Sequence, residues 1–157
     1  MKIIYMLSGP PGSGKSYWAK KDTKGKIGTC IVSRDDIRFS FLNDSDDYFA
    51  REDEVFDKWI NTINELINDI DTTDIYLDAT HLNDVSRFKT LSQLELAKVD
   101  EIILVIMDTP LETCLKRNSV RMGRRFVPED VIKRMYKSFK PYTENELFTG
   151  TIRLKEE

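Results

Sequence analysis

The sequence has few of the cysteines that cross-link small secreted proteins and no long apolar run of the kind that anchors proteins in membranes. It contains two cysteines, Cys30 and Cys114, among 157 residues. Two cysteines are too few for a disulfide framework or a metal cluster, so we expect both to be buried and reduced. No apolar run approaches the roughly 18 residues of a transmembrane helix, and the N-terminus lacks the apolar region of a signal peptide. We therefore expect a cytoplasmic protein with no membrane span and no cleaved leader.

The sequence also lacks the residue sets of several enzyme classes. It has one histidine, His81, and no cysteine or histidine spacing that would ligate zinc. No Ser/His/Asp arrangement for nucleophilic catalysis is present. We interpret His81 as a turn or surface residue outside any catalytic group.

Net charge is small, at −3, but the charges are unevenly placed. Residues 43–78 contain twelve acidic and two basic residues, and residues 114–140 contain nine basic and two acidic residues. We interpret the acidic stretch as a solvated face and the basic stretch as a surface that faces phosphates. A chain with a net negative charge is unsuited to non-specific binding along long nucleic acids, although it can still bind a few phosphates locally.

The most specific motif follows the first apolar run. Residues 3–7 are almost continuously apolar, which is typical of a strand buried on both faces. Glycines after such a strand let backbone N–H groups converge on phosphate oxygens, and the next helix adds the positive end of its dipole. Lys15 can then reach the β- and γ-phosphates of a nucleotide, and the Ser16 hydroxyl can ligate Mg²⁺. The motif G-x-x-x-x-G-K-[ST] is matched in full by Gly9, Pro10, Pro11, Gly12, Ser13, Gly14, Lys15 and Ser16.

Apolar runs and apolar stripes alternate along the rest of the chain. Short runs predict strands at residues 29–33, 75–77 and 102–107 and an edge strand at 151–154. The longest predicted helix is the amphipathic stretch 49–70, whose apolar stripe we assign to the core. Other helices are predicted at 14–22, at the stripe Val85, Phe88, Leu91 and Leu94, and after Pro110 and Pro128. This alternation predicts one α/β domain, residues 1–157, with a parallel sheet flanked by helices.

The phosphate loop by itself predicts only nucleotide binding, and the chain has no Asn/Thr-Lys-x-Asp segment of the kind that reads guanine. Asp35 follows the second predicted strand, at the sheet edge where ligands bind in open parallel sheets. A carboxylate there can accept a proton from an attacking hydroxyl. Arg38, one helical turn on, would orient Asp35 or bind a phosphate of the acceptor. Asp36 competes for either role, and the alternative for Asp35 is a helix N-cap paired to an arginine.

Asp78 follows the third predicted strand, residues 75–77. A carboxylate at this position is similar to the second acidic motif of phosphate-loop enzymes, which helps to hold Mg²⁺. The alternative is a cap of the turn before Thr80. We favour the role linked to Mg²⁺.

A cluster of basic residues follows the predicted helix after Pro110. Arg117 and Arg121 are four residues apart and are predicted to share a helix face, and Gly123 is predicted to begin a mobile loop. Arginines on such a lid can neutralise charge on a transferring phosphoryl group and exclude water. The alternative is a solvated basic helix end near its negative dipole.

The chain resembles the 5′-hydroxyl polynucleotide kinase domain of phage and bacterial end-healing enzymes. The similar stretches are GPPGSGKS, SRDDIR, LDATHLN, MDTPLETCLKRNSVR and VPEDVIKRMYKSF, which occur in the family's order up to about residue 140. The phosphate loop is unspecific, whereas the SRDDIR and KRNSVR elements together are much more specific. The resemblance implies an adenylate-kinase-like P-loop fold with a short arginine-bearing lid.

The resemblance also implies a role for each matching residue. Asp35 would be the general base for the 5′-hydroxyl, and Arg38 would contact the phosphate of the acceptor's terminal nucleotide. Lys15 and Ser16 would bind the donor phosphates and Mg²⁺, supported by Asp78. Arg117 and Arg121 would be lid arginines on the donor, ATP.

Some features depart from the family pattern. Tyr17 stands where such loops often have a second threonine, and His81 stands where the family has asparagine. The acidic stretch from Asp44 to Asp57 matches nothing in the family. The alternative to a solvated face is that it lines or caps the acceptor side, which leaves the acceptor in question. No Asp-x-Asp-Gly-Thr segment is present, so we expect no 3′-phosphatase activity.

Three functions are compatible with these residues. The first is an ATP-dependent kinase for 5′-hydroxyl ends of DNA or RNA, with a separate ligase in the pathway by family analogy. The second is a small-molecule kinase for a nucleoside, sugar or antibiotic. The third is a nucleotide-binding module without catalysis, which needs neither Asp35 nor the lid arginines.

Overall fold

The computed structural model describes residues 1–141 and 146–155. Its strands and helices alternate as the apolar pattern predicts. The strands are β1 (Ile3–Ser8), β2 (Thr29–Ser33), β3 (Asp74–Asp78), β4 (Glu101–Asp108) and β5 (Gly150–Lys155). The helices are α1 (Lys15–Thr23), α2 (Arg34–Phe41), α3 (Glu52–Asn68), α4 (Asp84–Leu91), α5 (Leu111–Ser119) and α6 (Glu129–Ser138), with short 3₁₀ helices at Leu96–Lys98 and Gly123–Arg125.

The five strands form one parallel sheet in the order β2-β3-β1-β4-β5. The chain leaves β1 to one side of the sheet and later crosses to β4 on the other side. In open α/β sheets, ligands bind at such a switch point, at the carboxyl ends of the strands. The topology therefore places the segments after β1, β2 and β3 at one edge of an α/β sheet, as predicted.

Side chains of the central strands alternate between two apolar layers. Ile4, Met6 and Leu77 point to the layer covered by α3, where Trp59 and Ile63 are fully buried. The opposite layer is filled by Leu7, Ala19, Tyr76, Val105 and Met107. Apolar side chains on both faces explain why the central strands are almost continuously apolar in sequence.

The long amphipathic helix is shorter than the predicted stretch 49–70. Helix α3 spans Glu52–Asn68, and Phe49 and Ile70 lie outside it with 53% and 93% of their surface exposed. Hydrogen-bonded turns precede it, with Ala50 donating to the Asp47 carbonyl. The predicted apolar stripe therefore extended too far at both ends.

Helix α4 also differs from its predicted stripe. Val85 and Phe88 are exposed, and Arg87 between them is fully buried. Arg87 donates hydrogen bonds to Ser8 Oγ, to the His81 carbonyl and to both carboxylate oxygens of Glu146. These polar partners compensate for burying the guanidinium, so α4 turns Arg87 inwards together with Thr90 and the predicted core residue Leu91.

The two cysteines differ in burial. Cys114 is buried, as expected, whereas Cys30 is only half-buried, and both are free thiols. No helix in the described parts of the chain is both long and apolar enough to span a bilayer.

Candidate active site

The phosphate loop connects the end of β1 to the start of α1. Gly12 and Gly14 adopt left-handed backbone conformations, with φ of 81° and 101°. A Cβ added to Gly12 would lie 2.6 Å from the Cys114 carbonyl oxygen, so helix α5 packs directly on the loop. Glycine is required here for both reasons, because other residues rarely adopt this φ and would clash.

Lys15, the first residue of α1, folds back over the loop. Its Nζ donates hydrogen bonds to the Gly9 carbonyl at 2.9 Å and the Pro10 carbonyl at 3.0 Å. Burial lowers the pKa of Lys15, although the nearby Asp78 opposes this effect. A partly desolvated ammonium surrounded by loop carbonyls is well placed to exchange these acceptors for phosphate oxygens.

Ser16 and Asp78 meet as the sequence predicts. The Ser16 hydroxyl donates a hydrogen bond of 2.6 Å to Asp78 Oδ2, across 62 residues of sequence. Asp78 is the last residue of β3 and is buried. A hydroxyl and a carboxylate side by side at the phosphate loop are oxygen donors of the type that Mg²⁺ prefers, so these residues fit the metal.

A cavity of about 440 Å³ opens beside the phosphate loop. This volume is typical of small-ligand sites. Arg117 Nη1 donates to the Gly12 carbonyl at 3.1 Å, which holds its guanidinium against the loop. The residues that line the cavity are Gly12, Gly14, Lys15, Ser16, Tyr17, Arg117 and Arg121.

The prediction that Arg117 and Arg121 share a helix face is wrong. Helix α5 ends at Ser119, and Arg121 lies beyond its last residue. Both arginines nevertheless line the same cavity, because the chain turns after the helix. Gly123, predicted to begin a mobile loop, instead begins the 3₁₀ helix Gly123–Arg125.

Asp35 lies in the first turn of α2, at the end of β2. The N-cap of this helix is Ser33, whose hydroxyl accepts a hydrogen bond from the Asp36 backbone, so the alternative N-cap role of Asp35 is wrong. Asp35 Oδ1 accepts from the Arg38 guanidinium and, at 2.5 Å, from the Tyr48 hydroxyl. Its side chain remains 44% exposed. Asp35 is therefore a solvent-accessible carboxylate in a fixed orientation.

Arg38 is buried beneath this carboxylate. Its Nη2 lies 2.8 Å from both oxygens of Glu52, and its guanidinium lies over the Tyr48 ring at 4.1 Å. Burial and the charge of Asp35 raise the pKa of Tyr48, so its hydroxyl stays protonated and donates. Two roles were predicted for Arg38, orienting Asp35 and binding a phosphate of the acceptor. The geometry shows the contact with Asp35 that the first role requires.

Tyr48 and Glu52 were not predicted as site residues. Glu52 lies in the acidic stretch that the sequence analysis assigned to a solvated face, yet it pairs with Arg38 and with Arg34 at 2.5 Å. A signal was available, because Arg34 and Arg38 are four residues apart on one helix face and need a shared acid. Tyr48 had no comparable signal.

His81 lies under the phosphate loop. It is buried, so the surface interpretation is wrong, and its φ of 40° is unusual for a residue other than glycine. Its Nδ1–H donates to the Leu7 carbonyl at 2.9 Å, and the Thr90 hydroxyl lies 3.2 Å from Nε2 and donates to it. Burial lowers the pKa of His81 to about 3, so the ring is neutral and structural.

The basic stretch reaches the acidic stretch through its 3₁₀ helix. Arg124 lies 2.9 Å from Asp44, and Arg125 lies 2.9 Å from Asp36. Asp36, the competing candidate for the role of Asp35, therefore pairs with Arg125 of this 3₁₀ helix and not with Arg38. The predicted contact of the basic stretch with phosphates stays a prediction.

A family model described as an AAA domain matches residues 4–142. The chain is similar to a structure titled as the Pnkp1/Rnl/Hen1 RNA repair complex, at 24% identity and a TM-score of 0.73. That match covers 87% of this chain and 43% of the other, so this chain spans less than half the length of that protein.

Two further structures match nearly the whole chain. A fungal RNA kinase is 15% identical with a TM-score of 0.65, covering 98% of this chain and 74% of the other. A sugar kinase from Janibacter sp. HTCC2649 is 18% identical with a TM-score of 0.63, covering 98% and 84%. At these identities the likenesses show the fold, while the family model spans most of the sequence and implies nucleotide binding. The chain therefore belongs to the AAA domain family of P-loop proteins.

Proposed function

We propose that this protein is an ATP-dependent kinase that phosphorylates 5′-hydroxyl ends of DNA or RNA. The observation that carries the proposal is the exposed Asp35 carboxylate, held by Tyr48 and Arg38 at the sheet edge beside the phosphate loop. Binding of a nucleotide alone would not need an oriented carboxylate at this position. The motif set SRDDIR and KRNSVR supports a polynucleotide end as the acceptor.

The donor nucleotide would lie in the cavity beside the phosphate loop. Lys15 would bind its β- and γ-phosphates, and Arg117 and Arg121, which line the same cavity, would neutralise their charge. Ser16 and Asp78 would hold Mg²⁺. A bound Mg²⁺ supplies positive charge that offsets the negative charge of the phosphates.

Asp35 would act on the acceptor. As the hydroxyl oxygen forms its bond to the γ-phosphorus, the bond to the ADP oxygen breaks and the hydroxyl proton passes to a carboxylate oxygen of Asp35. Arg38 and Tyr48 fix that oxygen in place. The contact of Arg38 with an acceptor phosphate, which the resemblance implies, requires its guanidinium to exchange one of its present partners.

The product indicates a place in a reaction sequence. A 5′-phosphate end is what a nucleic-acid ligase consumes, so we propose a separate ligase downstream. The similarity to a structure of an RNA repair complex supports this proposal.

A small-molecule kinase is the second candidate. The sugar kinase match favours it, because this chain covers 84% of that protein and only 43% of the repair protein. The net charge of −3 is also compatible with a small acceptor.

The test is transfer of labelled γ-phosphate from ATP and Mg²⁺ to matched DNA and RNA oligonucleotides. We expect label on 5′-hydroxyl ends and none on 5′-phosphate ends. Asp35→Asn should reduce transfer by about 10²–10⁴-fold while retaining ATP binding. Asp57→Asn removes the same charge from an exposed position of α3 and is the matched control.

Two outcomes would contradict the proposal. If no oligonucleotide is labelled while ATP still stabilises the protein, the polynucleotide acceptor is wrong, and a screen of sugars and nucleosides then separates a small-molecule kinase from a module that only binds a nucleotide. If Asp35→Asn transfers phosphate as fast as the Asp57→Asn control, Asp35 is not the base.

A further inference from the structure

The 3₁₀ helix Gly123–Arg125 contacts the helix that carries Asp35. Arg124 Nη1 donates to the carbonyls of Phe39 and Leu42 at 3.0 and 3.2 Å, at the C-terminal end of α2. Arg125 Nη2 donates to Asp36 Oδ1 at 2.9 Å. Both guanidinium groups lie over the Phe39 ring, at 5.2 and 5.4 Å from its centre. Two lid cations are thus concentrated on one face of α2.

The two arginines are held differently. Arg124 caps the end of α2 through backbone carbonyls, a contact that positions the lid. Arg125 instead pairs with a carboxylate, and both side chains are largely exposed, at 58% for Arg125 and 67% for Asp36. Exposed ion pairs contribute little to stability, so this pair can be exchanged at small cost. A phosphate accepts from a guanidinium in the same planar, bidentate way as a carboxylate.

Arg125 lies next to the proposed reaction centre. Asp36 is the immediate neighbour of Asp35, so Arg125, which pairs with Asp36, lies beside the helical turn that carries the proposed base. A polynucleotide whose 5′-hydroxyl faces Asp35 would carry its next phosphates away from this point. Arg38 is buried under Asp35 and is assigned to the terminal nucleotide, which leaves the following phosphates to another cation.

We propose that Arg125 binds an internal phosphate of the acceptor strand, one beyond the phosphate assigned to Arg38. Asp36 holds this position in the free protein and is displaced when the acceptor binds, while Arg124 keeps the lid on α2. This inference rests on the proposed kinase function and deepens it. It makes the preferred acceptor a strand of several nucleotides, and it gives the acidic residue Asp36 a role that opposes binding.

The test uses fluorescence anisotropy with 3′-labelled 5′-hydroxyl oligonucleotides of one, two, four and eight nucleotides. Arg125→Ala should weaken binding of the eight-nucleotide strand about tenfold or more, and should flatten the gain of affinity with length. The salt dependence of its affinity should fall by about 0.7 in logarithmic slope, because one phosphate contact is lost. Arg125→Lys should restore part of the affinity.

Asp36→Asn distinguishes this proposal from a purely structural lid contact. Asp36→Asn should strengthen binding of the eight-nucleotide strand several-fold, because Arg125 loses its competing carboxylate. If the ion pair only closes the lid, both variants break the same contact and change affinity in the same direction. Lys133→Ala removes one charge from an exposed position of α6 in the basic stretch and is the control.

Each outcome decides the inference. Opposite effects of Arg125→Ala and Asp36→Asn, with Lys133→Ala near wild type, support it. Changes in the same direction, or a length dependence that Arg125→Ala leaves intact, overturn it while oligonucleotide phosphorylation by the wild type still supports the proposed function. If the wild type labels no oligonucleotide at all, the proposed function itself fails.

Discussion

Arg38 and Glu52 form a two-pronged ion pair that joins α2 to α3 across 14 residues of sequence. Nearly all of the Arg38 side chain is buried, whereas Glu52 is 29% exposed. The pair lies directly beneath the Asp35 carboxylate, because Arg38 also donates to Asp35. The orientation of the proposed base thus depends on an acid from another helix.

Replacing Glu52 should destabilise the protein and misplace Asp35. We expect Glu52→Gln to lower the free energy of unfolding by about 1–3 kcal/mol, since it leaves the buried Arg38 guanidinium with only the half-exposed Asp35 as a counter-charge and Glu52 is partly screened by solvent. Urea denaturation followed by circular dichroism measures this change. Glu54→Gln, which removes an exposed partner of Arg51, should stay near wild type. Equal losses in both variants would contradict the importance of the buried pair.

Lys15 should control nucleotide-dependent stabilisation. A ligand that binds only the folded state at 100 times its Kd adds about 2.7 kcal/mol to the stability. We expect ATP with Mg²⁺ to raise the Tm of the wild type and to leave the Tm of Lys15→Ala nearly unchanged. Lys20→Ala, on the exposed surface of α1, is the control. A normal ATP-dependent shift in Lys15→Ala would overturn the phosphate-binding role of the loop.

The hydrogen bond between Ser16 and Asp78 should set the requirement for Mg²⁺. We expect Asp78→Asn to raise the Mg²⁺ concentration for half-maximal phosphate transfer about 10–100-fold, because the carboxylate orients the hydroxyl and adds negative charge at the metal position. A titration of Mg²⁺ at saturating ATP measures it. Asp74→Asn alters the opposite end of β3 and should behave as wild type. An unchanged Mg²⁺ requirement in Asp78→Asn would show that Asp78 acts only as a structural cap.

His81 should make the stability depend on pH. Burial lowers its pKa to about 3 in the folded protein, whereas an unfolded histidine titrates near 6.5. The unfolded chain therefore binds an additional proton as the pH falls from about 6.5 towards 3, and the free energy of unfolding decreases over this window by at most about 1.4 kcal/mol per pH unit. Above about 6.5 the group contributes no slope.

The variant His81→Asn tests this dependence, since asparagine tolerates the positive φ of this position. It should be less stable at pH 7, because it loses the ring contacts with Trp59 and the Thr90 hydroxyl. Its stability should nevertheless fall less steeply between pH 6.5 and 4.5. Parallel pH profiles for the two proteins, measured by urea denaturation, would show that His81 does not titrate as described.

Local signals were sufficient for the core strands and for the phosphate loop. A strand buried on both faces must be continuously apolar, and a loop that surrounds a phosphate needs glycine at left-handed positions. Both features could therefore be predicted from residues 3–16 alone. Proline at helix starts is equally local, and Pro110 and Pro128 immediately precede α5 and α6. The parallel topology then follows from the alternation of strands and helices, which explains why Asp35, Asp78 and Lys15 could be assigned to one edge.

Contacts between distant segments decided the rest. Whether a polar residue is buried depends on partners that arrive from elsewhere in the chain, so the burial of Arg87 and His81 had no adequate local signal. The same holds for Arg125 and Asp36, which lie 89 residues apart in sequence and meet because the lid folds onto α2. The sequence alone thus determined the P-loop fold and predicted which residues bind phosphate. Only the tertiary structure showed that Tyr48 and Glu52 act with Arg38 to orient Asp35, because an ion pair or hydrogen bond forms where the packed backbone brings its two partners within about 3 Å.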